Sequence, residues 1–534
     1  MEIRYKGNAR IFLIAFFGIL LVCASYLIYF LDPLQKIISK MMLLSDGSVS
    51  YEIWKKPPYT IYITVYVFNV TNADAFISGE EKLQFEEIGP YVFQEMLENT
   101  EAVFNDNGTL SFVPRRELKF IREMSVGDPK EQYVNVPNVP LLGIASMLHQ
   151  SSMFLNLAVL SITRMLNSQP VLTMTVEDYF WGYEDKLVHM ASKVLPNWIF
   201  FEKFGVLDRM FDEGNNTVTI NVDPTRKTGS ALISEQERGR LYSILTYNGS
   251  PGLSQWGYQL PVGNETVESN TKCNMLEGAY DGTLYPPGFT PDEVFRLYRK
   301  PFCRTVPIEY YESGLSEDNF NAYFYKMTDN FLDREEDNPD NDCYCKDKNY
   351  CLPAGFGDTT PCYYGFPTAV SLPHYLHVDE SVYKRIGGMA PNEEDHGTKI
   401  VINPEMGLVL KGHSRIQINL IMRQTKYNYK TAPFNNMIIP LFWTEMRVDE
   451  LPSQIHMLMT LSQKVMPVVQ IVFIYLFAII GAALIATAGI LVFLTIGAPV
   501  INRSPSLNGG YTPLRIIPVI RRESLLTDIR RHNK

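Results

Sequence analysis

Val468–Ile496 reads VVQIVFIYLFAIIGAALIATAGILVFLTI, 29 residues without an Asp, Glu, Lys or Arg. As an α-helix it reaches about 43 Å, well beyond the roughly 30 Å hydrocarbon core of a bilayer. A run so long and so uniformly apolar reads as a tilted transmembrane helix. Gly481, Ala482, Ala483, Ala486 and Gly489 put small residues along it. They are either a helix–helix contact stripe or ordinary membrane-helix composition.

Ile11–Leu31 (IFLIAFFGILLVCASYLIYFL) is a second uncharged run, about 32 Å as a helix. The apolar part of a signal peptide is about 7–15 residues and leads to a small-residue cleavage site. This run is longer and no such site follows it, so it reads as an uncleaved signal-anchor. Arg4, Lys6 and Arg10 precede it; Arg503, Arg515, Arg521, Arg522, Arg530, Arg531 and Lys534 follow the second run. Basic flanks stay on the cytoplasmic side. The expected order is a cytosolic N-tail (1–10), a first span (11–31), an outside or luminal ectodomain (32–467), a second span (468–496) and a cytosolic C-tail (497–534).

An ectodomain of about 435 residues holds one large or two ordinary domains with a full core. The formal net charge of −10 argues against a nucleic-acid partner. Aromatics at 12%, with 31 Tyr, suit a strand-rich domain. Of seven cysteines, Cys23 lies in the first apolar run and six fall between Cys273 and Cys362: Cys273, Cys303, Cys343, Cys345, Cys351 and Cys362. An even set in an oxidising compartment implies disulfides, with about 15 connectivities open. Zinc is the poorer reading, because the C-x-C lacks a C-x-x-C partner or a nearby His pair. Sequons at Asn69, Asn107, Asn215, Asn248 and Asn264 cluster in the same loop and fit a glycosylated surface.

Along the chain, the segment ending in Trp54-Lys55-Lys56-Pro57-Pro58 is expected to be a short amphipathic helix at the membrane surface. Tyr59–Val70 alternates, with Ile61, Ile63, Val65 and Val67 on one face, and reads as a strand. A strand at Tyr91–Phe93 follows. Ala102–Phe104 and Thr109–Val113 flank Asn105-Asp106-Asn107-Gly108, a hairpin signal. Residues 135–176 carry one charge, Arg164. With 177–211 they are read as several short helices, either a plain helical core or an apolar cap that captures a greasy ligand. Strands return at 217–222, 241–247, 399–402, 407–411 and 416–422. Glu335, Glu336, Asp337, Asp340 and Asp342 lack calcium-loop spacing and read as a solvated loop.

No G-x-S-x-G, H-E-x-x-H or G-x-x-x-x-G-K-[ST] occurs. His374 and His396 read as packed or surface residues. The expectation is a protein that is not an enzyme and holds no cofactor. Two spans around a disulfide-bonded ectodomain also suit a ligand-gated ion channel subunit, although the second run offers little polar pore lining beyond Gln470, Thr487 and Thr495.

Several motifs now resemble the class B scavenger receptor (fatty acid translocase) family. They are Trp54–Pro58, Phe68-Asn69-Val70-Thr71-Asn72, Gly89-Pro90-Tyr91 with Phe93, and Trp181-Gly182-Tyr183-Glu184-Asp185. Ser371-Leu372-Pro373-His374, Pro391-Asn392-Glu393-Glu394 with His396, and Ile439-Pro440-Leu441-Phe442-Trp443 follow in the same order. The likeness covers nearly the whole chain and includes the C-x-C.

The resemblance implies a membrane-anchored α+β protein: an antiparallel β-barrel ectodomain with a helical apex (135–211), a disulfide region (273–362) and an internal tunnel, flanked by two transmembrane helices. It implies partners among lipids (fatty acid, sterol, carotenoid, phospholipid) or lipoproteins, captured at the apex and passed inward to the bilayer. It implies the pairs Cys273–Cys343, Cys303–Cys362 and Cys345–Cys351. Leu155, Val159, Ile162, Lys186, Lys193 and Lys203 become the candidate apical contacts. Two departures stand out. Five basic and six acidic residues in 136–210 give no basic apex for anionic particles, and neither tail has a cysteine for palmitoylation.

Tyr511-Thr512-Pro513-Leu514 matches an endocytic Y-x-x-Φ signal, with Tyr511 and Leu514 docking in separate adaptor pockets. Leu525-Leu526 is the poorer lysosomal signal, because Arg521 stands where an acid is wanted. The expected location is the plasma membrane with endosomal cycling, with a lysosomal sorting receptor as the alternative.

Overall fold

The computed structural model describes residues 2–194, 201–211, 216–223, 237, 239–263, 267–345, 348 and 350–497. They form two compact units, one of residues 2–37 and 460–497, the other of residues 38–459.

The first unit is a pair of apolar helices. One runs over Glu2–Leu31, starting earlier than the uncharged run, and stops at Asp32, where φ is +40° before Pro33. The other is Met466–Gly497. Phe12, Tyr29, Ile479 and Phe493 are exposed, as side chains solvated by lipid are. The helices touch through glycine. A Cβ on Gly18 would lie 2.9 Å from the Gly481 carbonyl oxygen, and one on Gly481 would lie 2.8 Å from that of Gly18. Ser25 Oγ donates to the Ile474 carbonyl at 2.9 Å, and Gln470 Nε2 donates to Asp32 Oδ1 at 3.2 Å. Ala482, Ala483, Ala486 and Gly489 are exposed, whereas Gly481 and Ala488 are buried. The contact stripe is therefore narrower than the small-residue composition implies.

The second unit is built on a large sheet. Its strands are β1 (Ile61–Val70), β2 (Leu83–Phe104), β3 (Thr109–Phe120), β4 (Tyr133–Pro137), β5 (Val171–Thr175), β6 (Val218–Asn221), β7 (Ile244–Tyr247), β8 (Ala279–Tyr280) and β9 (Phe295–Arg299). They continue with β10 (Arg304–Leu315), β11 (Asn321–Met327), β12 (Gly357–Asp358), β13 (Thr368–Ser371), β14 (Ile386–Gly387), β15 (Lys399–Asn403), β16 (Leu408–Met422) and β17 (Met437–Val448). The main path is β7-β6-β3-β2-β1-β17-β16-β15-β11-β10-β9-β8. It curls into a nearly closed barrel. The Tyr247 ring of β7 meets the Tyr298 ring of β9 at 5.3 Å where backbone pairing stops. The barrel is mixed rather than wholly antiparallel, because β8–β9 and β14–β2 pair parallel.

β17 is buried on both faces from Met437 to Glu445, so MIIPLFW reads as a continuous apolar run rather than an alternation. A bulge interrupts its pairing with β16: Phe442 faces Ile418, but Pro440 faces Asn419. Pro440 has no N–H to give the ladder, and a bulge tolerates that.

The apolar segment departs from an all-helical reading. It opens and closes on β4 and β5, which pair with each other, and β-branched Val134, Val136 and Val171 favour that outcome. Between and after them lie helices Val139–Met147, Met153–Met165, Val176–Trp181, Lys186–Val194 and Val206–Phe211. Asn138 ties the base. Its Oδ1 caps the first helix by accepting from the Leu141 N–H at 3.1 Å, and its Nδ2 donates to the Gln169 carbonyl at 2.8 Å.

Candidate ligand-binding cavities

Two apolar cavities lie along the inward face of β16 and β17. The first holds about 220 Å³ and is lined by Val139 and Ile144, by Val188, by Phe204, and by Ile418 and Phe442. Leu441 also lines it, because the bulge before Phe442 turns two consecutive side chains to one side. The helix Val139–Met147 is set by Phe366: a Cβ on Gly143 would lie 2.1 Å from the Phe366 ring, and that ring is part of the cavity wall. Two cations border this space, Arg209 and Lys300. Arg209 pairs with Asp208 and stands over the Phe201 ring at 4.6 Å.

The second cavity holds about 170 Å³ and is lined by Trp54, Ile61, Leu97, Met327, Met446 and Val448, among others. A dry apolar cavity of about 150 Å³ accepts a benzene-sized molecule, so each space suits part of an acyl chain or ring system. Phe442 in the first and Met446 in the second are four residues apart on one strand, about 13 Å. The row between them is known from the register. Thr444 faces Val65 on β1 and Ile416 on β16, all three are buried, and none carries a charge.

Residues 13–492 match the CD36 family. The chain belongs to that family. It is 30% identical over 426 residues to lysosome membrane protein 2 of Homo sapiens, covering 78% of this chain and 80% of the relative. The same protein of Rattus norvegicus is 30% identical over 420 residues, with the same coverage. Scavenger receptor class B member 1 of Sus scrofa is 25% identical over 433 residues, covering 80% and 79%. The resemblance read from Trp54–Pro58 onward is thus family membership, and the CD36 family supports a receptor or lipid-binding role for this membrane protein.

In this CD36-family chain the cysteines pair as the resemblance implies: Cys273–Cys343, Cys303–Cys362 and Cys345–Cys351. The candidate apical contacts lie elsewhere than the cavities. Leu155 is exposed and Val159 and Ile162 are half-buried on helix Met153–Met165, whose buried positions are Leu160 and Thr163. Lys186, Lys193 and Lys203 are exposed, and Lys203 lies 3.7 Å from Glu184. None of the six lines either cavity. Sequence reasoning missed Phe204, Phe366, Leu441 and Phe442. Phe204 and Phe366 lie outside the helices and named strands, and Leu441 and Phe442 belong to the Ile439–Trp443 motif, in which nothing marks the side chains that face inward.

Among the sequons, Asn107 is exposed on the β2–β3 turn. Asn248 is exposed beyond β7, and its amide already bonds the Asn216 side chain and the Thr217 N–H. Asn69 is half-buried on β1 and accepts from the Asn135 N–H at 2.8 Å. Asn215, Asn264, Tyr511 and Leu514 lie outside the described residues.

Proposed function

We propose that this protein is a lipid or lipoprotein receptor that captures apolar ligands at its helical insertion and passes them through the barrel toward the membrane. The observation that carries the reading is the pair of apolar cavities on one inward face, separated by the row Val65, Thr444 and Ile416. Rotamer changes in these three side chains join the spaces into a tunnel. Helix Met153–Met165 adds an exposed apolar surface through Phe154, Leu157 and Met165. Its burial against a ligand is worth about 25 cal/mol per Å². Candidate ligands are fatty acids, sterols, carotenoids and phospholipids, free or in lipoproteins. Transfer needs no covalent step and no cofactor.

Thr444→Trp tests the reading by filling the row. Cells displaying the native chain are expected to take up fluorescent fatty acid, sterol or carotenoid faster than cells without it. The variant, at equal surface level, is expected to fall back to the control rate. No gain with the native chain, or full uptake with Thr444→Trp, overturns the proposal.

The topology proposed with this function has both tails cytosolic and 32–467 outside, glycosylated at Asn69, Asn107, Asn215, Asn248 and Asn264. Tyr511 and Leu514 support a plasma-membrane receptor that cycles through endosomes on an endocytic adaptor. The name of the lysosome membrane relatives supports the lysosomal alternative. An antibody to the ectodomain, added to intact cells, reads both points. Tyr511→Ala is expected to raise surface labelling and slow its internalisation; unchanged labelling and uptake reject the signal, and absence of native surface labelling favours the lysosome.

A further inference from the structure

The disulfide region 273–362 has a pocket of its own, about 120 Å³, which shares no lining residue with either apolar cavity. Arg304 lines it. This is the first residue of β10, next to Cys303, and it is only 4% exposed. Among the described residues its Nε is enclosed without a hydrogen-bond partner. Among the described residues its guanidinium has no ion-pair partner either. One face is covered, with Cζ 3.9 Å from the centroid of the Tyr344 ring. Gly357 lies against it so closely that a Cβ there would be 3.1 Å from Cζ. Contact with a ring shields the face of the guanidinium but leaves its in-plane N–H donors unsatisfied.

A buried guanidinium without acceptors is costly, and native interiors pair such groups. Five of the seven other charged side chains that line the pocket are engaged. Arg334 Nε donates to the Leu352 carbonyl at 2.8 Å. Lys348 pairs with Glu335. Asp358 Oδ1 accepts from the Thr360 N–H at 2.8 Å, and Asp342 lies 3.7 Å from Lys272. Among the described residues Arg304 is left at the pocket with its Nε unpartnered, and Asp358 acts on it by charge alone.

We propose that this pocket binds a small monovalent anion, a carboxylate of formate or acetate size, on the edge of the Arg304 guanidinium. The planar fork of arginine matches a carboxylate with two parallel N–H···O bonds. The volume admits few heavy atoms. The carboxylates at the rim, Asp333, Glu336 and Asp358 among them, repel a dianion such as phosphate more than a monoanion.

The test uses the full chain in detergent at fixed pH and ionic strength, with formate replacing gluconate. The native protein is expected to show a saturable rise in Tm with formate and none with phosphate, and to broaden the ¹³C-formate NMR line. Arg304→Met is expected to lose both responses. Should that variant fail to fold, Asp358→Asn serves instead: removing the neighbouring carboxylate is expected to lower the half-saturating formate concentration several-fold. A native Tm indifferent to formate means that water alone fills the pocket and overturns the proposal. So does a formate response that survives Arg304→Met, or a half-saturation that Asp358→Asn leaves unmoved.

Discussion

Replacing Cys303 and Cys362 together by serine is expected to remove about 4 kcal/mol of stability, the chain-entropy value for a loop of this length. The bridge spans 59 residues. A typical domain holds about 5–15 kcal/mol in all, so most of the variant is expected to be retained inside the cell rather than delivered. The location adds to the loss. Cys303 is fully buried, its carbonyl accepts from Trp256 Nε1 at 2.6 Å, and Cys362 is part of the wall of the first cavity. The control is Cys345 and Cys351 replaced by serine. That bridge spans only 6 residues, about 2 kcal/mol by the same reasoning. Urea midpoints of the two purified variants and their surface levels in cells provide the comparison. Equal midpoints would show that loop length does not govern how these bridges stabilise the fold.

The spans were legible because charge is absent over lengths that no ordinary core helix needs, and the β2–β3 hairpin because Asn-Gly calls for that turn. Family membership was legible from motif order. The cavity walls were not, and the reason is geometric. Ile418 and Phe442 meet across a strand register, Val139 comes from a helix and Phe204 from an isolated bridge to Tyr183 far along the chain, and Leu441 is aimed by a bulge. None of these relations has a local period. Helix Met153–Met165 makes a related point. Leu155, Val159 and Ile162 keep helical spacing, yet the buried positions are Leu160 and Thr163. When a helix carries apolar residues on more than one stripe, spacing identifies the helix but not which stripe faces in. The disulfide pairing could come only from the resemblance, since spacing left every connectivity open.

Acidification from pH 7 to pH 5 is expected to cost this fold about 2 kcal/mol through one histidine. His396 is buried and lies against the outer side of β17. Its ring stacks on His374 at 4.4 Å and meets the Trp443 ring at 5.7 Å. Its Nδ1 accepts from the Asn392 N–H at 3.0 Å, so the neutral ring is the one that fits. The His374 Nδ1 accepts from the Ala390 N–H at 3.1 Å, and its Nε2 lies 2.6 Å from Glu87, which also accepts from Trp443. Burial, with His374 adding to it, pushes the His396 imidazole down to about 4. The unfolded chain, with an ordinary value near 6.5, takes up the proton first. The stabilisation is therefore fully present above about pH 6.5, is lost as pH falls from there toward 4, and levels off below. The carboxylates add a second loss at lower pH. Burial raises Glu445, but hydrogen bonds and charge from His413 and Arg415 outweigh it and hold the group below its usual range. Its contribution is present above about pH 4.5 and disappears beneath it. Unfolding of the detergent-solubilised protein, followed by tryptophan fluorescence at pH 7, 6 and 5, measures the slope. His396→Phe keeps a ring against Trp443 but cannot accept from Asn392 or take a proton. It is expected to be less stable than the native chain at pH 7 and to lose much less on going to pH 5. An unchanged pH slope in that variant would place the acid sensitivity elsewhere. With the native slope, the barrel is more stable in a neutral medium than in one at pH 5 by about 2 kcal/mol.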